Sequence, residues 1–279
     1  MNRQLATITL IGQDKAGVIA RITQLLFQLG ANIEAMEEQV TRGHFSMTLQ
    51  ASWTPAHFDR AAIQHRIREA ARELNMDAKI HFAPTGPQRL AILVTKEPHV
   101  LEGLLAKSSA ALGAQPVVVI GNRPELEPLA RKHKLPFYNV PFNNRAHAEE
   151  EVLKLLEKYE IDFIVLARFM KILSPNFVWR WKNKIINIHP SLLPAFPGAN
   201  AYRQAYERGV KIIGVTAHFV TPNLDEGPII AQEALIVRSN ESLGSIVKRG
   251  QSLETKCVLR AVRAYVTKRL DVHWGRVYS

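Results

Sequence analysis

Asn187 and His189 are the residues in this sequence whose types and spacing most directly suggest chemistry. They stand at the end of the apolar run Lys184 to Ile188, and a loop stiffened by Pro190 and Pro194 follows at once. Because side chains two apart in an extended strand point to the same face, we expect the amide and the imidazole to be directed at one place. Both groups can donate to one oxygen, and together they could stabilise the oxyanion of a carbonyl group under attack. The alternative is a structural pair that only caps the strand.

A carboxylate follows in the segment GVTAHFVTPNLDEGPII, Gly214 to Ile230. His218 falls in a predicted strand, and Asp225 lies in the turn-rich loop after it, just ahead of Gly227. A carboxylate on such a loop can accept a proton, or keep a histidine charged, if the fold brings it beside Asn187 and His189. The competing interpretation is an ordinary turn aspartate.

Residues 1–84 carry alternating and helical apolar patterns in the order βαββαβ. This order predicts a ferredoxin-like module, in which two helices cover one face of an antiparallel sheet. The segment Ala83 to Gln88 holds two prolines and a glycine and is predicted to be a linker, with the domain boundary between residues 84 and 85. The expected strands and helices of the module are Leu5–Ile11, Val18–Leu29, Asn32–Val40, His44–Trp53, Pro55–Leu74 and Asp77–Phe82.

Residues 85–279 are predicted to form a second domain with an α/β fold. Short, nearly continuous apolar runs alternate with helical patterns, as is typical of strands buried on both faces. This alternation indicates right-handed βαβ units and a doubly wound, mostly parallel Rossmann-like sheet, whose ligands bind beyond the carboxyl ends of the strands. Asn187 and His189 lie at such an end. The expected elements are Arg89–Thr95, His99–Leu112, Pro116–Gly121, Pro124–His133, Ala146–Tyr159, Asp162–Ala167, Lys184–Ile188 and a last helix at Leu243–Leu270.

Composition narrows the class of protein. The formal charge of +11 is spread along helices without a run of five or more basic residues, which argues against a nucleic-acid-binding arm. The single cysteine, Cys257, excludes an internal disulfide, and the ten histidines show no convincing metal-ligand spacing, so no metal is predicted.

No run approaches the roughly 18 apolar residues of a membrane span, and the N-terminus lacks the apolar core of a secretory signal. We therefore expect a cytoplasmic protein with no nucleic-acid or membrane partner.

Three segments of the second domain closely resemble the folate-dependent formyltransferase-fold enzymes: VLARFMKILS, NIHPSLLPAFPGANAYRQAYERGV and TAHFVTPNLDEGPIIAQ. The resemblance covers roughly residues 88–270. It implies that Asn187, His189 and Asp225 are the catalytic trio, with His218 in support. It also implies that 10-formyltetrahydrofolate is the substrate, with no permanently bound cofactor. Its pterin is then expected on the loop before Asp225 and on the backbone around five consecutive residues, Arg168, Phe169, Met170, Lys171 and Ile172.

The first module resembles an ACT domain, with GQDKAG and GANI at the positions of that family's ligand loop and following strand. The resemblance implies a homo-oligomer, a dimer or a tetramer, that binds a small amino acid where two copies meet. Glycine or methionine is the expected effector. The residues implied for its site are Gly12, Asp14, Gly17 and Asn32.

An ACT domain ahead of this catalytic domain is the arrangement of the deformylases among these enzymes, which hydrolyse 10-formyltetrahydrofolate to formate and tetrahydrofolate. One alternative is formyl transfer to glycinamide ribonucleotide or another amine. The relatives that transfer to this ribonucleotide hold its phosphate with a glycine-rich loop after the first strand of the domain, whereas this chain has Glu97 there and no glycine before Gly103. Water is therefore the favoured acceptor. A second alternative is a non-catalytic amino-acid or folate sensor, which loss of a catalytic residue would indicate, but all three are present.

Overall fold

A computed structural model describes residues 3–41, 43–82, 86–267, 270–273 and 275–278. The chain divides into two compact units, Met1–Thr85 and Gly86–Ser279. The first part of the predicted linker, residues 83–85, lies outside the described residues, and so does the predicted boundary between residues 84 and 85. None of the helices in the described part of the chain is both long enough and apolar enough to cross a membrane.

The first unit has the predicted βαββαβ order. Its sheet is antiparallel, in the order β2-β3-β1-β4. Helix α2 begins later than expected, because Pro55–His57 forms a separate 3₁₀ turn and the Asp59 carboxylate then caps the helix by accepting from the Ala62 N–H. The elements are β1 Gln4–Gln13, α1 Val18–Gln28, β2 Asn32–Thr41, β3 His44–Trp53, α2 Arg60–Glu73 and β4 Met76–Phe82.

The two helices of this unit bury their apolar stripes against one face of the sheet. Helix α1 presents Ile22 and Leu26, and α2 presents Ile63 and Ile67, at the spacing of one helical face. Together with the inward residues of the strands, these side chains form a single apolar cluster. The core predicted from the periodicity is therefore present.

The strand register separates the residues predicted for effector binding. Asn32 and Leu5 are both level with Ser52, whereas Gly12 is level with Phe45 at the other end of the sheet. Gly12 lies seven residue steps beyond Leu5 along the strand, which is about 23 Å. A single copy of the chain therefore does not bring Asn32 to the Gly12–Gly17 loop, and the expected pocket is not formed within this unit.

The second unit is built on a seven-stranded sheet in the order β11-β10-β9-β8-β5-β6-β7. Strands β5 to β9 are parallel, while β10 pairs antiparallel with both β9 and β11. The predicted mostly parallel α/β sheet is therefore confirmed. Its strands are β5 Gln88–Val94, β6 Ala114–Gly121, β7 Phe137–Asn139, β8 Phe163–Ala167, β9 Ile185–His189, β10 Ile212–Phe219 and β11 Ile229–Ile236, and a further pair is β12 Asp271–His273 and β13 Arg276–Tyr278.

Helices pack on both faces of this sheet and form two apolar clusters, one with each face. The predicted helix His99–Leu112 is wrong as a single element: it is two helices, because Ser108 starts the second by accepting from the Ala111 N–H. The last helix ends at Thr267, and the next two residues of its predicted span lie outside the described ranges. The helices are α3 His99–Leu105, α4 Ser109–Leu112, α5 Glu127–Lys132, α6 Arg145–Lys158, α7 Pro175–Arg180, α8 Ala201–Glu207 and α9 Leu243–Thr267.

Candidate active site

Strands β9 and β10 bring four polar side chains to one face of the sheet. Asn187 and His189 alternate along β9, and the antiparallel register sets His218 opposite Asn187 and Thr216 opposite His189. Directly opposed residues of two paired strands point to the same face. Asn187, His189, His218 and Asp225 all line one cavity of about 310 Å³, which also borders the loop after β8. The predicted catalytic residues and His218 therefore meet at one place.

The His218 ring has a defined role in orienting the Asn187 amide. Its Nδ1 lies 2.9 Å from the Phe219 carbonyl oxygen, to which only an N–H can donate. Nε2 is then the acceptor, and Asn187 Nδ2 lies 3.2 Å from it. Burial lowers the pKa of His218, although the nearby Asp225 carboxylate opposes this, so the ring is kept in the neutral form that can accept. The amide keeps a second N–H for a ligand.

His189 is buried, at 4% exposure, and its two ring nitrogens face different acceptors. Nε2 lies 2.9 Å from the Phe196 carbonyl oxygen, a contact that fixes the plane of the ring. Nδ1 lies 3.3 Å from Asp225 Oδ2. A ring with a proton on each nitrogen satisfies both acceptors. The edge of the ring that carries Nδ1 is thereby directed to the carboxylate on the cavity wall.

Asp225 is held in place by the backbone around it. Its φ is +56°, in the left-handed region, and its Oδ2 accepts the Gly198 N–H at 2.8 Å. Its Oδ1 lies 3.8 Å from His218 Nε2. Gly227 lets this loop approach β10, since a Cβ there would lie 1.6 Å from the Phe219 carbonyl oxygen. The backbone conformation of the loop and the Gly198 N–H therefore fix the orientation of the Asp225 carboxylate.

The loop after β8 forms another wall of the cavity. Arg168, with φ +59°, begins it, and residues 168–173 line the cavity. Met170 and Ile172 are 52% and 60% exposed, so they offer apolar surface to a ligand. The Arg168 guanidinium turns into the protein, where it donates to Glu97 at 3.2 Å from both Nε and Nη2. The charged group of this residue is therefore already paired within the protein.

Comparison with known proteins gives the same two-part organisation. The model of the formyl transferase family matches residues 88–262, and the model of the ACT domain family matches residues 4–81. A formyltetrahydrofolate deformylase from Bacillus subtilis is 38% identical over 266 residues, which cover 93% of this chain and 88% of that relative. A second, from Escherichia coli K12, is 38% identical over 284 residues, covering 98% and 97%. The chain belongs to the formyltetrahydrofolate deformylase family.

Solved structures resemble this deformylase-family chain in the same way. The deformylase from Pseudomonas syringae has a TM-score of 0.67 and 31% identity, and the match covers 98% of this chain and 93% of that one. A phosphoribosylglycinamide formyltransferase from Anaplasma phagocytophilum has a TM-score of 0.65 and 34% identity. That match covers only 68% of this chain, although it covers 93% of the formyltransferase. The fold of the catalytic domain is thus shared by the two activities, and the predicted family is confirmed.

Sequence reasoning missed two polar residues that support the site of this deformylase-family chain. Thr216 Oγ1 donates to the Ser191 carbonyl oxygen at 2.7 Å and accepts the Leu193 N–H at 3.0 Å. Gln232 Nε2 donates to that same hydroxyl at 3.0 Å. These contacts fix the loop after His189. One signal was available, since Thr216 and His218 alternate along β10 and therefore share a face.

The residues predicted for effector binding in the ACT domain make local contacts. The Asp14 N–H donates to the Gly43 carbonyl oxygen at 2.9 Å, and Asn32 Nδ2 donates to Glu34 Oε1 at 2.9 Å. Gly17, with φ +89°, precedes α1. As for metals, no group of three or more His, Cys, Asp and Glu in the described residues is arranged to hold an ion.

Proposed function

We propose that Asn187, His189 and Asp225 carry out the hydrolysis of 10-formyltetrahydrofolate, the reaction of the family to which the chain belongs. The observation that supports this most strongly is the 3.3 Å contact between His189 Nδ1 and Asp225 Oδ2, beside an amide already oriented by His218. An imidazole paired with a carboxylate and set next to an amide donor combines proton transfer with oxyanion stabilisation.

In this mechanism Asn187 and the Nδ1–H of His189 donate to the formyl oxygen, the Nδ1–H turning to it from its 3.3 Å contact with Asp225, while Asp225 accepts a proton from water. The water oxygen forms a bond to the formyl carbon, and the two donors stabilise the negative charge on the formyl oxygen. Removing one such donor typically costs about 3–4 kcal/mol of transition-state stabilisation. The intermediate then collapses as the bond from carbon to N10 breaks and the abstracted proton is delivered to N10. The products are tetrahydrofolate and formic acid, which releases its proton to solvent and becomes formate.

The folate is proposed to lie across the loop after β8, with its pterin against the backbone of Arg168 to Ile172 and the loop before Asp225. The carbonyls and N–H groups of these segments can pair with the polar edge of a pterin ring, and the exposed side chains of Met170 and Ile172 can pack on its face. No permanently bound cofactor enters the proposal.

Water is proposed as the acceptor in place of a ribonucleotide amine. The guanidinium of Arg168, a residue that borders the cavity, is already paired with Glu97, three residues after the end of β5. A phosphate at this point would meet carboxylate oxygen instead of bare backbone N–H groups. The Bacillus subtilis and Escherichia coli relatives, which match more than nine tenths of this chain, are named deformylases.

Formate release from 10-formyltetrahydrofolate, measured with no added amine, tests the proposal. We expect formate and tetrahydrofolate to form in equal amounts. Turnover that appears only when glycinamide ribonucleotide is added would instead establish formyl transfer. A protein that binds tetrahydrofolate and turns nothing over would support the sensor alternative.

We further propose that the protein works in the cytoplasm as a homo-oligomer, dimer or tetramer, regulated by glycine or methionine. Since Asn32 lies at the opposite end of the sheet from the Gly12–Gly17 loop, an effector pocket that uses both needs two copies of the chain. Calorimetry with each amino acid, repeated on Asn32→Ala and accompanied by light scattering, is the test. No heat and no change of rate at millimolar amino acid would leave the ACT domain as an assembly element.

A further inference from the structure

The loop after β8 is attached to the interior of the protein at three points, each through a buried side chain of another element. We define this wall loop as residues 168–174. Glu254 of α9 holds its first residue, Thr95 at the end of β5 holds its middle, and Glu149 of α6 holds its last. The catalytic mechanism above uses none of these three residues.

The first attachment is the contact between Glu254 and Arg168. Glu254 is 0% exposed, and its Oε2 lies 3.6 Å from Arg168 Nε and 3.0 Å from His99 Nε2. Its Oε1 accepts the Tyr202 hydroxyl at 2.8 Å. Burial lowers the pKa of Arg168, but Glu254 and Glu97 outweigh it and raise that pKa above its usual value, so the guanidinium stays charged and paired.

Tyr202 extends the same attachment to the other side of the cavity. It lies on α8, which follows the loop after His189. Its ring packs across Gly250, where a Cβ would lie 2.3 Å from the hydroxyl oxygen, and Gly250 and Glu254 are one helical turn apart on α9. One carboxylate therefore links the loop after β8 with the helix after the β9 loop.

The second and third attachments act on the backbone of the wall loop directly. The Met170 N–H donates to Thr95 Oγ1 at 2.9 Å, and that hydroxyl donates to Asn122 Oδ1 at 2.7 Å. At the end of the loop, the Ser174 N–H donates to Glu149 Oε1 at 2.6 Å, and its hydroxyl donates to the other oxygen of the same carboxylate. Glu149 is buried on α6 together with the apolar residues Ala148 and Val152.

We propose that Glu254, Thr95 and Glu149 are positioning residues that hold the wall loop in its ligand-ready shape before the folate arrives. This inference rests on the proposed function, because it assigns the folate to the cavity that the loop borders. A preformed loop reduces the ordering that binding would otherwise require. Loss of an attachment is therefore expected to weaken folate binding more than it slows the chemical step.

The test uses three isosteric variants of the full chain, Glu254→Gln, Thr95→Val and Glu149→Gln. Two matched controls replace exposed carboxylates on neighbouring surfaces, Glu102→Gln on α3 and Glu150→Gln on α6. For each protein we would measure the Kd for tetrahydrofolate by calorimetry, KM and kcat for 10-formyltetrahydrofolate, and the melting temperature.

We expect each positioning variant to raise Kd and KM about tenfold, which is about 1.4 kcal/mol, with a smaller effect on kcat and an unchanged pH profile. The controls should match the wild type. Lower melting temperatures with unchanged Kd and KM would overturn the proposal, since that is the result of a purely structural role. Binding of tetrahydrofolate can be measured without turnover. A wild-type protein that binds tetrahydrofolate but releases no formate would therefore refute the proposed hydrolysis, while the proposal about the wall loop could still be tested by Kd.

Discussion

Asn187 and His218 face each other across the antiparallel strands β9 and β10, with Asn187 Nδ2 3.2 Å from His218 Nε2. An amide can rotate to present either its oxygen or its nitrogen, and only the nitrogen can donate to a formyl oxygen. By accepting one N–H, the neutral His218 ring determines which end of the amide meets the substrate. In the proposed mechanism His218 therefore belongs to the oxyanion site, although it need not touch the substrate.

Replacing His218 with leucine should therefore lower kcat by about tenfold or more, because a disoriented donor is lost from the transition state. His218→Gln should retain more activity, since a glutamine oxygen can still accept from Asn187. Steady-state kinetics on the two variants are the measurement. Equal activity of His218→Leu and the wild type would contradict the orienting role.

The lowered pKa of His218 also predicts a dependence of stability on pH. Burial depresses this pKa below the usual value of about 6.5, so the folded state favours the neutral ring. The stabilisation is present above the unfolded pKa and is lost as the pH falls through the folded pKa. Between pH 7.5 and pH 5, the melting temperature of the wild type should fall further than that of His218→Gln. An equal fall in both proteins would assign the acid sensitivity to other groups.

Asp225 offers the most direct test of the proposed chemistry. Asp225→Asn keeps the shape of the side chain but cannot take a proton from water, so turnover should be almost abolished while tetrahydrofolate affinity stays within several-fold. His189→Ala should likewise cost turnover more than affinity. Glu226→Gln, at the exposed neighbouring position, is the matched control. Retention of more than about a tenth of wild-type turnover, only about 1.4 kcal/mol of barrier, would disprove the assigned role.

Much of this site could be predicted from the sequence because its signals are local. Alternation along one strand sets Asn187 and His189 on one face, and the apolar runs around them specify a buried sheet. The distance from His189 to Asp225 depends on how β10 returns beside β9, which local pattern does not encode. The role of Glu254 could not be predicted from the sequence. A lone carboxylate on an amphipathic helix is normally solvated, and only the tertiary fold shows that Glu254 is buried against Arg168.

Gly227 connects the fold to the position of Asp225. A Cβ at this residue would lie 1.6 Å from the Phe219 carbonyl oxygen, so Gly227→Ala must push the Asp225 loop away from β10. We expect a loss of turnover of more than about tenfold, with a destabilisation of about 1–3 kcal/mol typical of overpacking. Gly244→Ala, where a Cβ meets no atom within 4 Å, is the control and should leave activity unchanged. Normal kinetics of Gly227→Ala would show that the loop does not need this close approach.

Cys257, the single cysteine of the chain, should report unfolding of the catalytic domain. Its side chain is 0% exposed, and burial raises the pKa of its thiol to about 11, so little reactive thiolate exists at pH 8. A thiol reagent should leave the native protein unmodified over hours and label one thiol per chain in denaturant. Tetrahydrofolate should slow the labelling at intermediate denaturant, because a ligand of the folded state stabilises it by mass action. Rapid labelling of the native protein would show that α9 opens locally. Glu254 lies on the same helix as Cys257, so the labelling rate also tests Glu254→Gln. If this variant binds folate weakly but its thiol is still labelled slowly, the wall loop is misplaced and α9 is intact. If its thiol is labelled rapidly, α9 itself is loosened.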